Sequence, residues 1–282
     1  MFAFLVSTIT STAGLSGAFL ILPFQVSILG FLTPGVTPTN LLFNVFGIPS
    51  GVYRFYRERR MVWPLVWTIS LGTIPGLILG IYIRIRFMPD PAVFKLFVGM
   101  VLGGIALRLL YSAYREKKTP ETGPNNNHFQ VEPLNFNFKE ISYNFNGQDY
   151  RVSTIIVFTL SLIVGTIGGI YGIGGGAILA PFLVAVFGLP VHTIAGAALC
   201  STLVSSVFGV VFYVFLGPLF SGSGQSASPD WLLGLMFGIG GAAGIYTGAR
   251  LQKFLPARLI KIILSALMLF IAIQYISKYF IE

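Results

Sequence analysis

Long apolar stretches separated by short polar segments dominate the chain. They cover residues 2–31, 38–56, 62–83, 92–113, 154–188, 193–216, 231–249 and 258–280. A membrane-spanning helix needs about 20 predominantly apolar residues, which most of these stretches provide. Glycines interrupt the first and the fifth stretch. The pattern predicts an all-α, multi-pass membrane protein.

Composition agrees with this prediction and limits the partners. The 282 residues are 55% hydrophobic and 10% charged, and the mean hydropathy is +0.82. The net charge of +9 does not indicate nucleic-acid binding, because Lys and Arg form short clusters between apolar runs, as topology signals do. We expect a lipid bilayer and a small substrate as partners, and no nucleic acid.

The most unusual stretch is Gly168–Pro181, which reads GGIYGIGGGAILAP. Such a glycine cluster predicts a break in the helix, which is tolerated in a membrane only where it is buried in protein or lines a wet cavity. The half-helix beginning near Ala177 would then point free N–H groups and its positive dipole end into that cavity. The alternative is that the glycines only allow close helix packing.

An internal repeat divides the chain. Shifting the sequence by 158 residues places Gly14–Phe24 on Gly172–Phe182, and a slightly larger shift places Gly76 and Gly80 on Gly244 and Gly248. We therefore expect a first transmembrane repeat at 1–114, an insert at 115–151 and a second repeat at 152–282. Corresponding interrupted segments in two halves indicate the binding site of a transporter.

Charge predicts the topology. Basic loops are cytoplasmic by the positive-inside rule. The rule is satisfied if each interrupted stretch is a re-entrant or broken helical hairpin followed by three transmembrane helices, which makes the two repeats inverted. Arg84 and Arg86 disagree, since this topology places them outside. The basic loops that carry the argument contain Arg54, Arg57, Arg59, Arg60, Arg108, Arg115, Lys117, Lys118, Arg250, Lys253, Arg258 and Lys261.

The insert contains a strand pattern. Apolar residues alternate from Phe136 to Val152 around Asn146-Gly147, which is a strong hairpin signal. We expect a small β-hairpin on the cytoplasmic surface of the membrane. The expected membrane is the plasma membrane of the cell.

Candidate substrate-binding residues lie at the hairpin tips and on polar stripes of the following helices. Asn40 and Asn44, like Ser201 and Ser205, are four residues apart, so each pair lies on one helix face. Uncharged donors facing two helix N-termini would suit a small oxyanion. The alternative is that the hydroxyls bond their own helix or hold helices together. The candidates are Gly14, Ser16, Gly17, Asn40, Asn44, Gly172, Gly174, Gly175, Gly176, Ser201, Thr202 and Ser205.

The sequence lacks the residues that other chemical functions would require. Each carboxylate lies in or beside a loop, which argues against a buried proton relay. His128 and His192 are far apart and metal-ligand spacing is absent, so we expect no metal, no cofactor and no enzyme. The membrane potential alone would suffice to drive an anion outward.

The sequence resembles the sulfite exporter TauE/SafE family of membrane permeases. The resemblance rests on the glycine motif with Gly168, Gly172–Gly176 and Pro181, and on Gly196–Thr202 with Ser205 and Gly209. It implies duplicated halves that move sulfur-containing anions such as sulfite or organosulfonates, mostly outward. The first half departs from the family pattern, because Gly14-Leu15-Ser16-Gly17-Ala18 replaces the usual glycine triplet.

These observations favour an exporter with a site near mid-membrane between the two tips. An anion channel and a non-transporting scaffold or assembly factor are the alternatives. Glycine-rich faces are compatible with a homodimer.

Overall fold

The computed structural model describes residues 1–12, 14–115, 131–145, 147–220, 227–251 and 257–281. Within these ranges the chain forms helices and one small sheet. The helices are α1 (Phe2–Thr12), α2 (Ala18–Ser27), α3 (Val36–Arg57), α4 (Trp63–Phe87), α5 (Pro91–Arg115), α6 (Thr154–Tyr171), α7 (Gly175–Phe187), α8 (Val191–Phe220), α9 (Trp231–Leu251) and α10 (Ala257–Ile281). The strands are β1 (Val131–Phe136), β2 (Glu140–Phe145) and β3 (Gln148–Ser153).

Six helices of the described residues are long and apolar enough to cross a membrane: α4, α5, α6, α8, α9 and α10. This confirms the prediction of a multi-pass α-helical membrane protein. Helix α3 is not among the six although it has 22 residues. Its polar residues, which include Asn40, Asn44 and two arginines in the last turn, lower its hydropathy. Most of these polar side chains are buried, so α3 is a helix of the protein interior.

Both glycine-containing stretches are interrupted where the sequence predicts. Helices α1 and α2 are separated around Gly14–Gly17, and α6 and α7 are separated at Gly172–Gly174. Gly172 has φ +85° and Gly174 has φ +75°, a backbone conformation that favours glycine. Helix α7 begins at Gly175, two residues before the expected start at Ala177.

The second hairpin leaves and returns at the same face of the helix bundle. Strand β3 runs directly into α6 at Thr154. After α7, helix α8 begins at Val191, and its Thr193 Oγ1 lies 2.9 Å from Tyr143 Oη of β2. Both ends of the hairpin therefore lie at the sheet, as in a re-entrant segment. The inverted orientation of the two repeats stays a prediction.

The insert forms a three-stranded antiparallel sheet in the order β1-β2-β3. The predicted hairpin is β2-β3, and β1 extends it by one strand that the sequence pattern did not indicate. Asn146 and the first part of the insert, residues 116–130, lie outside the described residues. The N–H of Val131 donates to the carbonyl of Arg59 over 3.0 Å, so the sheet docks on the arginine-rich loop. Burial raises the pKa of Tyr143 to about 12, so its hydroxyl stays protonated beside Thr193.

The two repeats pack on each other reciprocally. Helix α4 packs on α6 as α9 packs on α1, and α3 contacts α9 as α8 contacts α4, whereas α5 and α10 pair with each other. Glycines bring the backbones together: a methyl group on Gly76 would collide with the carbonyl of Leu162, and one on Gly244 would collide with the carbonyl of Phe4. Small residues allow this close approach between membrane helices.

We expect Gly76→Leu to lower the melting temperature of the detergent-solubilised protein by about 5–10 °C. The leucine would have to displace the α6 backbone, and such overpacking costs roughly 1–3 kcal/mol or more. The matched control is Gly104→Leu in α5, where a methyl group would have no neighbour within 4 Å. Equal melting temperatures of the two variants would contradict the packing argument.

Candidate functional site

Two asparagines of α3 join the tips of the two broken hairpins. Asn40 Nδ2 donates to the carbonyl of Ala18 over 3.1 Å and to the carbonyl of Gly172 over 2.9 Å. Ala18 begins α2 in the first hairpin, and Gly172 ends α6 in the second. One side chain therefore binds backbone from both tips. Its Oδ1 atom is buried and has no hydrogen-bond partner.

Asn44, one turn further along α3, repeats this arrangement. Its Oδ1 accepts a hydrogen bond from Ser16 Oγ of the first tip. Its Nδ2 donates to the carbonyl of Ile173 in the second tip and to Ser206 Oγ of α8, both over 3.2 Å. Asn40 and Asn44 form what we call the asparagine clasp. In the second tip the clasp satisfies carbonyls that the helix break exposes, and it holds the two tips together.

The hydroxyls of the second polar stripe bond mainly to helix backbone. Thr202 Oγ1 donates to the carbonyl of Ala198 over 2.7 Å, and Ser205 Oγ donates to the carbonyl of Thr202 over 3.1 Å. Ser201 Oγ instead reaches the carbonyl of Val66 in α4 over 3.2 Å. These contacts match the alternative given above, in which such hydroxyls bond their own helix or link helices. Their oxygen atoms, but not their protons, remain available in this conformation.

The start of α7 faces a buried hydroxyl that has no partner. No side chain caps the first turn of α7. A methyl group on Gly175 would collide with the Thr73 methyl group and lie 2.7 Å from Thr73 Oγ1, and one on Gly174 would lie 3.0 Å from Ser205 Oγ. Thr73 is 0% exposed, and its Oγ1 makes no hydrogen bond in the described structure. The free backbone N–H groups of the α7 start and the Thr73 hydroxyl together form a donor cluster.

Several residues around the tips were not predicted as site residues. Thr37 Oγ1 donates to the carbonyl of Ile170 over 3.4 Å, and Tyr213 Oη donates to the carbonyl of Gly169 over 3.3 Å. Tyr171 Oη donates to the carbonyl of Phe19 over 2.9 Å. Thr73 and Tyr213 are single hydroxyls within apolar stretches, which is the only sequence signal that they give. Tyr171 lies within the glycine motif, and Thr37 lies three residues before Asn40.

All twelve predicted site residues are buried. Ser16, Asn40, Asn44 and Gly172 meet at the clasp, and Gly174, Gly175, Gly176, Thr202 and Ser205 surround the start of α7. Three of the predicted residues lie against other neighbours: Gly14 against Ala195, Gly17 against Ser7, and Ser201 against Val66. The described residues contain no group of three metal-ligating side chains.

Comparison with known protein families identifies the family of this chain. The family described as Sulfite exporter TauE/SafE matches residues 1–275. The chain belongs to this family.

Among relatives, the chain is similar to two proteins of Bacillus subtilis (strain 168). It is 23% identical to "Probable membrane transporter protein YunE" over 96% of this chain and 93% of that protein. It is 22% identical to "Probable membrane transporter protein YjnA" over 94% and 93% of the two chains. No solved structure matches the chain significantly. Family and relatives indicate that this TauE/SafE protein is a membrane transporter.

We expect Asn44→Ala to loosen both hairpin tips of this TauE/SafE protein at once. The change leaves the Ser16 hydroxyl and the Ile173 carbonyl without their partner, and each buried unsatisfied group costs roughly 1–3 kcal/mol. Amide hydrogen exchange should become about tenfold faster in peptides covering residues 14–20 and 168–176.

The matched control for this exchange experiment is Asn135→Ala at an exposed position of β1. It should change exchange in neither tip. Faster exchange in only one tip of the Asn44→Ala protein would show that the clasp does not couple the two.

Proposed function

We propose that the chain is a carrier that exports small sulfur-containing oxyanions, such as sulfite or organosulfonates, across the plasma membrane. The substrate binds at the donor cluster formed by the start of α7 and Thr73. The buried, unpartnered Thr73 hydroxyl beside an uncapped helix start is the observation that carries this proposal. The cytoplasmic side is the side of the sheet and the arginine-rich loop.

The donor cluster lies deep in the bundle. A methyl group on Gly165 of α6 would lie 2.5 Å from the carbonyl of Thr73. Gly165 is about 16 Å along α6 from its start at Thr154 beside the sheet, at 1.5 Å per residue. The hydrocarbon core is about 30 Å thick, so this depth corresponds to mid-membrane. Substrate sites of transporters with broken helices lie at that depth.

The electrostatics of the cluster favour an anion. Free N–H groups at a helix start carry about half a positive charge, which attracts an oxyanion. Backbone and hydroxyl donors suit the oxygen atoms of sulfite or a sulfonate. None of the twelve predicted residues carries a negative charge that would repel such a substrate.

The closed tips favour a carrier over a channel. Asn40 bonds backbone of both hairpins, and Asn44 bonds the Ser16 hydroxyl of the first and the Ile173 carbonyl of the second. The tips and the start of α7 are buried in this conformation. A carrier would break these bonds on one side at a time. An inside-negative potential favours anion exit by about 2.3 kcal/mol per charge per 100 mV, so export needs no coupling ion.

We expect Thr73→Val to raise the KM for the transported anion at least about tenfold. Valine keeps the shape but removes a hydroxyl that donates to a charged ligand, and such a bond contributes roughly 1.5–3 kcal/mol. The measurement is saturable uptake into proteoliposomes at a clamped potential, with sulfite, sulfate, thiosulfate and small sulfonates as substrates.

The matched control is Thr247→Val in α9, where the hydroxyl donates only to the carbonyl of Ala243 in its own helix. Its KM should equal that of the unaltered protein. An unchanged KM in Thr73→Val would exclude the donor cluster as the site. Currents that do not saturate would indicate a channel, and no flux of any anion from folded protein would favour a scaffold.

A further inference from the structure

Arg84 is a fully buried cation near the end of α4 that is remote from the sheet. It is 0% exposed. It follows Thr73 by eleven residues, which is close to three helical turns, so the two side chains lie on the same face of α4. The topology predicted from the other basic loops places Arg84 outside, against the positive-inside rule. The structure instead buries it in the bundle, on the face that packs against the second hairpin.

Three contacts fix the guanidinium and leave one edge free. Nε donates to Thr37 Oγ1 over 3.3 Å, and Nη1 donates to the carbonyl of Met88. The Phe94 ring covers one face, with its centroid 3.8 Å from Cζ. Nη2 is buried and has no hydrogen-bond partner among the described residues. The contacts orient the group and leave the two N–H bonds of Nη2 unused.

The charge of Arg84 is not balanced by a carboxylate. Within the described residues, the ion pairs up to 4.0 Å involve other arginines. Arg60 makes a useful comparison, because it is equally buried but pairs with Glu58. A buried charge without a counter-ion is strongly unfavourable, and in membrane proteins such residues mark ion and substrate pathways.

The C-terminal end of α6 compensates only part of this charge. Thr37 Oγ1, which accepts from Arg84, donates in turn to the carbonyl of Ile170 in the last turn of α6. The negative end of a helix dipole amounts to about half an elementary charge. Arg84 also lies in the last turn of α4 and donates to the carbonyl of Met88, so the negative end of α4 adds to this compensation. Neither helix end bonds Nη2, whose N–H groups stay unused close to the end of α6.

We propose that Arg84 is a second anion-binding position, which receives the substrate oxyanion from the donor cluster at Thr73. This inference rests on the proposed function and narrows its substrate class. The ligand carries a full negative charge and at least one oxygen atom that can accept from Nη2. Sulfite and alkylsulfonates satisfy both conditions, whereas a neutral sulfonamide of the same size does not.

The test compares Arg84→Gln and Arg84→Lys with Arg86→Gln, a matched control at an exposed position two residues away. Two quantities are measured: the apparent Kd from anion-induced thermal stabilisation in detergent, and the KM of flux in proteoliposomes. The probes are sulfite, methanesulfonate and neutral methanesulfonamide. Binding in detergent does not require transport, so the two readouts test the inference and the proposed function separately.

We expect Arg84→Gln to raise the Kd and the KM for both anions at least about tenfold, because a charged donor is lost. Arg84→Lys should give a smaller increase, since it keeps the charge but loses the planar fork. Arg86→Gln should change neither value, and methanesulfonamide should not stabilise the protein.

Other results overturn one proposal or both. A folded Arg84→Gln protein with unchanged Kd and KM would show that Arg84 only holds the end of α6, and anion transport would stand without it. If Arg84→Gln does not fold, an unchanged Kd in Arg84→Lys overturns the inference and a raised Kd supports it. If the protein binds the anions in an Arg84-dependent way but shows no flux, the proposed transport is refuted and the anion site stands. If the unaltered protein shows neither binding nor flux, both the inference and the proposed function are refuted.

Discussion

A helix broken inside a membrane exposes backbone groups that hydrocarbon cannot satisfy. In this structure, a few polar side chains from neighbouring helices form hydrogen bonds with these backbone groups. The asparagine clasp binds carbonyls of both tips, and Thr37 and Tyr213 bind carbonyls at the end of α6. Without these partners the breaks would carry orphan carbonyls, and the half-helix starts would not be held at the centre of the bundle.

Close helix packing makes this arrangement geometrically accessible. Helix α6, which leads to the second tip, lies against α4 at backbone contact, where Gly76 and Gly80 face the carbonyls of Leu162 and Thr166. Helix α9 uses Gly244 and Gly248 against α1 in the same way. The glycines that make the repeat visible in the sequence are thus the residues that position the hairpins.

Much of the architecture is predictable because it follows from periodicity and composition in the sequence. Apolar length gives the membrane helices, glycine clusters give the breaks, and alternation around Gly147 gives the β2-β3 hairpin. Strand β1 was missed because Val131–Phe136 lacks clear alternation. Strand β1 pairs with β2 and its Val131 N–H donates to the carbonyl of Arg59, which is distant in sequence.

The candidate site is less predictable, because sequence shows which residues are polar but not what they bond. Asn44 and Thr202 are matched by the repeat and both are buried. Asn44 links two tips, whereas the Thr202 hydroxyl donates to its own helix. Thr73 and Arg84 gave still less signal. One is a lone hydroxyl in an apolar stretch, and the other has the charge expected of a loop.

The two halves differ in the residues that hold their tips, and this difference suggests that the halves have different functions. Thr37, Asn40 and Asn44 of α3 correspond to Ala195, Ala198 and Thr202 of α8 under the 158-residue shift. The first tip therefore meets Ala195 where the second meets Thr37, the partner of Arg84. Polar groups that can hold an anion gather around the second tip, and its glycines leave the start of α7 uncapped.

At the first tip, Ser16 Oγ accepts from the Ala18 N–H at the start of α2. A serine that occupies a helix start removes it as a ligand site. The first hairpin is thus closed against the clasp, whereas the start of α7 in the second hairpin has no side-chain cap.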